Sequence, residues 1–291
     1  MEKRSRLFTL WLGISVMLFS QCKVFDNEVM VPGYVYVPGY RFQTKADGSQ
    51  GDSTSNITDV WMYSQGNIEG AFAVPALIPV QHNGPYEIAF DAGILRTGQF
   101  YERIPNKLMT REYFTVDLKP GKIDTLFPTF KYSNSAVFKM IEDFDRLGFR
   151  FYQYNPQPGD TIVKVNSGDS ARVPGHNSGM VKLTDSTTQY RLITTDVYTV
   201  NSPNSTIYLE LDYNTDTYLH IGFVAASNSG KFTEVYTAYP TNGWKKVYID
   251  MSSDLIRLPF GDQYRLVIYV LRDPGTPAPK IILDNIKLIE G

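Results

Sequence analysis

The side chains able to do chemistry are few and scattered in this chain. Its three histidines, His82, His176 and His220, lie far apart without the spacing that lets two of them grip one metal. No Gly-x-Ser-x-Gly, His-Glu-x-x-His or phosphate-binding glycine loop accompanies them. Three other sets remain: two carboxylates on apolar faces, a group of tyrosines beside polar residues, and a single cysteine. In strand-like alternation, Glu142 shares a face with Met140 and Phe144, and Asp284 shares one with Ile282, Ile286 and Leu288. An isolated carboxylate among apolar neighbours is costly, so each must be paired, hydrogen-bonded, protonated or metal-bound.

The tyrosines carry a different chemistry. Tyr152 and Tyr154 follow a strand pattern that ends near Phe144, and Tyr236 and Tyr239 precede Pro240. A flat ring covers the apolar face of a pyranose while neighbouring amide or guanidinium groups bond its hydroxyls, so sugar sites mix aromatic and polar side chains. Arg172 and Asn177 are the polar candidates, with Arg150, Asn155 and His176 also within sequence reach. Trp244, in a Gly-Trp-Lys-Lys context, is expected to fill the core at a strand start.

Cys22 is the only cysteine in 291 residues. It follows a basic start (Lys3, Arg4, Arg6) and an apolar run from Leu7 to Phe19, the n-region and h-region of an export signal too short for a comfortable membrane span. Leu18-Phe19-Ser20-Gln21-Cys22 resembles a bacterial lipobox, in the looser form found in Bacteroidetes lipoproteins. That resemblance implies residues 1–21 as a lipoprotein signal peptide, Cys22 as the acylated N-terminus, and residues 22–30 as a lipidated tether to the outer membrane. Whether the protein faces the cell surface or the periplasm stays open.

Composition sets the frame for these residues. The chain carries 28 basic against 30 acidic side chains, net −2, so it has no basic field for nucleic acid. The length favours two domains, each able to bury a core without staples. One cysteine allows no internal disulfide, and 20 Tyr, 17 Phe and 3 Trp must supply the buried area instead. Short runs of β-branched and aromatic residues, punctuated by Gly and Pro, predict an all-β chain.

Residues 31–133 are expected to form an immunoglobulin-like β-sandwich, with strands at 57–63, 67–72, 77–80, 86–90, 113–118 and 123–132. Around the duplicated Val-Pro-Gly-Tyr of residues 31–40, alternation puts Val29, Val31, Val35 and Val37 on one face and Tyr34, Tyr36 and Tyr40 on the other. Its two prolines predict an edge strand or a crossing segment. The stretch 96–111 has neither period and reads as a long loop. Residues 66–93 loosely resemble immunoglobulin-like or PEGA-like modules of bacterial envelope proteins.

Residues 137–291 resemble the jelly-roll carbohydrate-binding modules of the galactose-binding-like superfamily. The resemblance rests on the order and spacing of Ile141-Glu142-Asp143-Phe144-Asp145, His176-Asn177-Ser178-Gly179-Met180-Val181-Lys182-Leu183, Tyr208-Leu209-Glu210-Leu211-Asp212-Tyr213, Gly243-Trp244-Lys245-Lys246-Val247-Tyr248-Ile249 and Ile282-Leu283-Asp284-Asn285-Ile286-Lys287-Leu288. It implies a jelly roll whose first and last strands lie close, and a structural calcium between Glu142 and Asp284, since hard oxygen ligands suit that ion. The functional expectation is non-catalytic glycan or polymer binding by the jelly roll. The alternative is a structural or interaction subunit of an envelope protein assembly. A glycosidase needs only two carboxylates, which 30 acidic residues always supply, but two small sandwiches without long βα loops argue against an enzyme.

Overall fold

The computed structural model describes residues 31–98, 102–200, 204–272 and 275–291. The export segment, Cys22 and the tether lie outside them. The chain is all-β, an immunoglobulin-like sandwich followed by a jelly roll. No helix among the described residues is long and apolar enough to cross a membrane.

The first sandwich contains β1 (Gly33–Val37), β2 (Arg41–Gln43), β3 (Asp59–Ser64), β4 (Asn67–Ala73), β5 (Ala76–Val80), β6 (Gly84–Leu95), β7 (Arg103–Pro105), β8 (Glu112–Leu118), β9 (Ile123–Thr125) and β10 (Thr129–Lys131). One layer has the order β4-β3-β6, with β7 and β8 sharing the other edge of the long β6. The other layer combines β5-β1-β9 with the pair β10-β2. Val35, Val37, Val60, Met62, Ile88, Phe90 and Phe130 fill the space between them.

β1 corrects an expectation. It is the central strand of its sheet, antiparallel to β5 and parallel to β9. Pro32 and Pro38 fall just outside it, so the five residues between them keep every amide the ladder needs. Its outward face is partly exposed, with Tyr36 opposite Leu77 and Tyr34 opposite Pro79 and Ile123. Tyr40 instead turns in, where its hydroxyl accepts the Ile57 amide at 3.1 Å. The expected strand 123–132 is broken into β9 and β10 around Phe127-Pro128.

The second sandwich contains β11 (Val137–Glu142), β12 (Phe151–Gln153), β13 (Thr161–Val165), β14 (Ser178–Lys182), β15 (Gln189–Thr194), β16 (Tyr198–Thr199), β17 (Ile207–Thr215), β18 (Leu219–Ala225), β19 (Phe232–Ala238), β20 (Lys245–Asp250), β21 (Gln263–Leu271) and β22 (Ile281–Glu290). Its inner sheet runs β13-β14-β22-β17-β20, with β11 also on β22, and its outer sheet runs β12-β15-β21-β18-β19, with β16 on β21. Alternate residues such as Leu211, Tyr213, Ile221, Phe223, Leu266 and Ile268 meet between the sheets.

The inner sheet is covered on both faces. Every residue of β17, and all of β22 except Glu290, is buried. One set of side chains enters the jelly-roll core, and Tyr208, Tyr248 and Ile289 on the opposite face join the core of the first sandwich. Between these sits a buried polar cluster. Tyr132 donates to Glu210 at 2.8 Å, Lys246 lies 3.4 Å from Glu210 and 3.6 Å from Asp212, and Lys287 donates to the Asp52 carbonyl at 2.7 Å. The loop before β3 closes over the cluster, with Thr54 donating to Asp212 and Asn56 to the Tyr248 hydroxyl. From the segment read as a long loop, Arg96 reaches Asp250 at 3.0 Å. The two sandwiches therefore meet through a shared buried surface, which the boundary near residues 133–137 did not foretell.

Candidate functional site

The first sandwich covers the inner sheet of the jelly roll, which leaves the outer sheet to face solvent. Period-2 alternation sends Tyr190, Leu192, Leu266 and Ile268 inward and their neighbours outward. Strand register then assembles the outward residues into rows. Arg191 pairs with Tyr269, Tyr269 with His220, and His220 with Thr237. Tyr154 extends this row, since its amide donates to the Arg191 carbonyl at 2.9 Å. The next row holds Tyr152, Ile193, Val267, Gly222 and Glu234.

Aromatic and polar groups interleave on this face. The Arg191 guanidinium lies over the Tyr269 ring, 4.5 Å from its centre, and Phe232 meets the same ring edge-on at 5.8 Å. His220 Nδ1 is 3.1 Å from a Glu234 carboxyl oxygen. Partial burial works against the charge of Glu234, but hydrogen bonds from Thr237 and His220 outweigh it and hold its carboxyl below the usual range. Just past the strand ends, Tyr218 and Tyr239 stack edge-to-face at 5.5 Å, and both are exposed. A groove of about 420 Å³ opens at the Tyr154 end, bounded by Tyr154, Asn155, Ser186, Gln189 and Arg191.

A glycine makes this sheet possible. A Cβ on Gly222 would sit 1.9 Å from the Thr233 carbonyl oxygen, so only glycine allows β19 to approach β18 at the bulge between Ile221 and Gly222.

The structure separates the six residues expected to bind sugar. Tyr152 and Tyr154 stand on the outer face, 40% and 44% exposed, and Tyr239 stands at its far end. Tyr236 does not, because it packs against the jelly-roll core beside Tyr213. Arg172 and Asn177 belong to the other side of the domain. Arg172 donates to the buried Asp212 at 2.9 Å, and the Asn177 side chain bonds Asp145 at 2.8 Å, beside His176 and the first sandwich's Asp52. Trp244 is half-buried rather than sealed in the core. Reading sugar candidates from loops missed Arg191, His220, Phe232 and Tyr269, which are carried by strands. Their signal was the outward half of the alternation in Gln189-Tyr190-Arg191-Leu192 and Leu219-His220-Ile221.

Glu142 and Asp284 were expected to share a calcium ion, and their surroundings do not fit one. Glu142 accepts the amides of Phe144 and Arg150, while Asp284 accepts the Ser178 hydroxyl at 2.8 Å and the Asn285 amide at 2.6 Å. Each carboxylate has its own donors in its own network, which answers the cost of burial without a cation. Burial raises both carboxyls, that of Asp284 to about 7. Asp212, opposite Asp284 across β17 and β22, is also desolvated, but Lys246 and Arg172 hold it below the usual range. No group of three or more His, Cys, Asp or Glu side chains able to hold an ion occurs among the described residues.

No protein-family model matches the chain, and no curated protein matches it. Several solved structures are similar to it at low identity. A family 29 carbohydrate-binding module complexed with cellulohexaose shares 13% identity at a TM-score of 0.34, over 54% of this chain and 93% of that one. A carbohydrate-binding module of the β-sandwich superfamily shares 13% at a TM-score of 0.36, over 79% of this chain and 84% of the other. An exo-β-agarase shares 11% at a TM-score of 0.38, with 52% of this chain covering 25% of the enzyme.

Proposed function

We propose that the chain is a non-catalytic, lipid-anchored envelope protein whose jelly roll binds glycan across its outer sheet. The observation that carries this reading is the exposed face itself, where Tyr152, Tyr154, Tyr218, Tyr239 and Tyr269 alternate with Arg191, His220, Glu234 and Gln189. Rings offer flat apolar surface to a sugar, and the polar groups between them supply bonds to hydroxyls. The full chain passed over immobilised plant, algal and bacterial polysaccharides should be retained by at least one class. Failure to bind any of them would remove the reading.

The anchor rests on the sequence around Cys22. In this reading Cys22 carries the acyl chains that hold the protein at the outer membrane, since stable attachment needs more than one chain. Cys22→Ser should move the protein from membrane to soluble fractions. Unchanged fractionation would count against lipidation and leave the glycan reading standing.

One observation favours the alternative of an interaction subunit. The outward face of β5-β1-β9 carries Tyr36, Leu77 and Ile123, all exposed, the kind of apolar patch that docks onto another envelope protein. Leu77→Asp with Ile123→Asp should then abolish co-purification with that partner while the fold is retained.

A further inference from the structure

Arg191 is unlike the other arginines of this protein. Arg96, Arg103, Arg111, Arg146, Arg150, Arg172 and Arg257 each hold a carboxylate. Arg265 and Arg272 donate to backbone carbonyls. Arg191 and the exposed Arg41 have neither among the described residues. Arg191 is half-buried on the outer sheet, and its guanidinium carbon lies over the Tyr269 ring, 4.5 Å from its centre, in the lining of the groove that Tyr154 shares. A guanidinium presents five N–H donors in a rigid fork, and stacking on a ring orients the fork while leaving its edge free.

The groove around it is polar and contains no acid among its lining residues. Glu234, the carboxylate of the same face, belongs to β19, three strands from β15 and roughly 14 Å away at ordinary strand spacing. It is also occupied by His220 and Thr237. A cation with no ion-pair partner among the described residues, beside an exposed tyrosine ring in a groove lined by neutral hydrogen-bonding groups, selects for a ligand with an anion next to a flat apolar surface.

We propose that this groove binds the carboxylate of a uronic-acid unit in an acidic polysaccharide, with Arg191 gripping the carboxylate through its fork and Tyr154 lying against the sugar ring. This rests on the glycan reading and narrows it to acidic chains. A carboxylate matches the fork through two parallel bonds. Ser186, Gln189 and Asn155 are placed to bond the hydroxyls around it.

The test uses the full chain and two uronate polymers, polygalacturonate and alginate, each against the same polymer with its carboxyl groups reduced to alcohols. Affinity electrophoresis or calorimetry should show at least one acidic form bound about tenfold or more tighter than its reduced counterpart. Arg191→Gln should erase that preference while near-ultraviolet circular dichroism stays unchanged. Arg191→Lys, which keeps the charge and loses the fork, should keep only part of it. Equal binding of the acidic and reduced polymers, or a preference that survives Arg191→Gln, would overturn the proposal. Binding to sulfated polymers with none to uronates would overturn the carboxylate assignment. A reduced polymer that binds, and loses affinity on Tyr154→Ala, would leave the broader glycan reading intact while this narrower one fails.

Discussion

Asp284 and Lys287, three residues apart in β22, are buried ionisable groups pushed in opposite directions. Burial lifts the Asp284 carboxyl from 3.8 to about 7, against the hydrogen bonds of Ser178 and the Asn285 amide. Between about pH 4 and pH 7 the folded chain holds a proton that the unfolded chain has released, so this contribution to stability is full at low pH and is lost as pH rises through 7. For Lys287, burial lowers the ammonium from 10.5 to about 7, and the folded chain lacks a proton that the unfolded chain keeps up to about pH 10. Stability from that group rises with pH across the upper window. Melting curves should show Asp284→Asn gaining on the wild type between about pH 4 and 7, and Lys287→Met losing to it between about pH 7 and 10. Curves that run parallel to the wild type in both windows would mean that neither group titrates as its burial requires. In the sequence Asp284 was read as an ion ligand, and Lys287 stood only as one residue of the segment that resembles the jelly-roll modules. Nothing local in β22 shows that a second sandwich covers the face that carries Lys287.

At the scale of elements, strand existence was legible and strand environment was not. Strand patterns placed β3, β4, β5 and β8 close to their observed ranges because period 2 is set by the backbone itself, and the resemblance marked segments that fall inside β17 and β22. In β17, β20 and β22 Glu210, Asp212, Lys246 and Lys287 point away from the jelly-roll core, yet all four are buried because that side faces the first sandwich. Pairing partners decide such questions, and they come from distant residues such as Thr54 and Tyr132. The β18–β19 bulge was invisible for the same reason: what requires a glycine at 222 is the Thr233 carbonyl, which only strand pairing places against it. Gly222→Ala must push β19 away from β18, and the expected loss is about 1–3 kcal/mol of stability. Since β19 carries Phe232 and Glu234, glycan affinity should fall with it. A variant of wild-type stability would show that the bulge relaxes freely.

For the whole molecule, the shared buried surface sets the cooperativity. Removing residues 31–133 would strip the cover from Glu210, Lys246, Lys287, Tyr208, Tyr248 and Ile289, and leave Glu210 without the Tyr132 hydroxyl. Hydration would relieve the buried charges, but the apolar part of the surface would be lost to water. A jelly roll of residues 137–291 should therefore melt below the full chain, and the full chain should melt in one transition. Two transitions, one matching the isolated jelly roll, would show that the sandwiches are energetically independent. The same arrangement covers the inner sheet of the jelly roll and leaves its outer sheet open as a broad binding face. The most direct test of the account compares glycan affinity of the full chain with that of Tyr154→Ala, Tyr269→Ala and, as a control on the first sandwich, Tyr36→Ala. The first two should each weaken binding several-fold or more, at about 1 kcal/mol per ring, with Tyr36→Ala unchanged. Affinity lost with Tyr36→Ala and retained in both outer-sheet variants would place the site on the wrong sandwich and contradict the account.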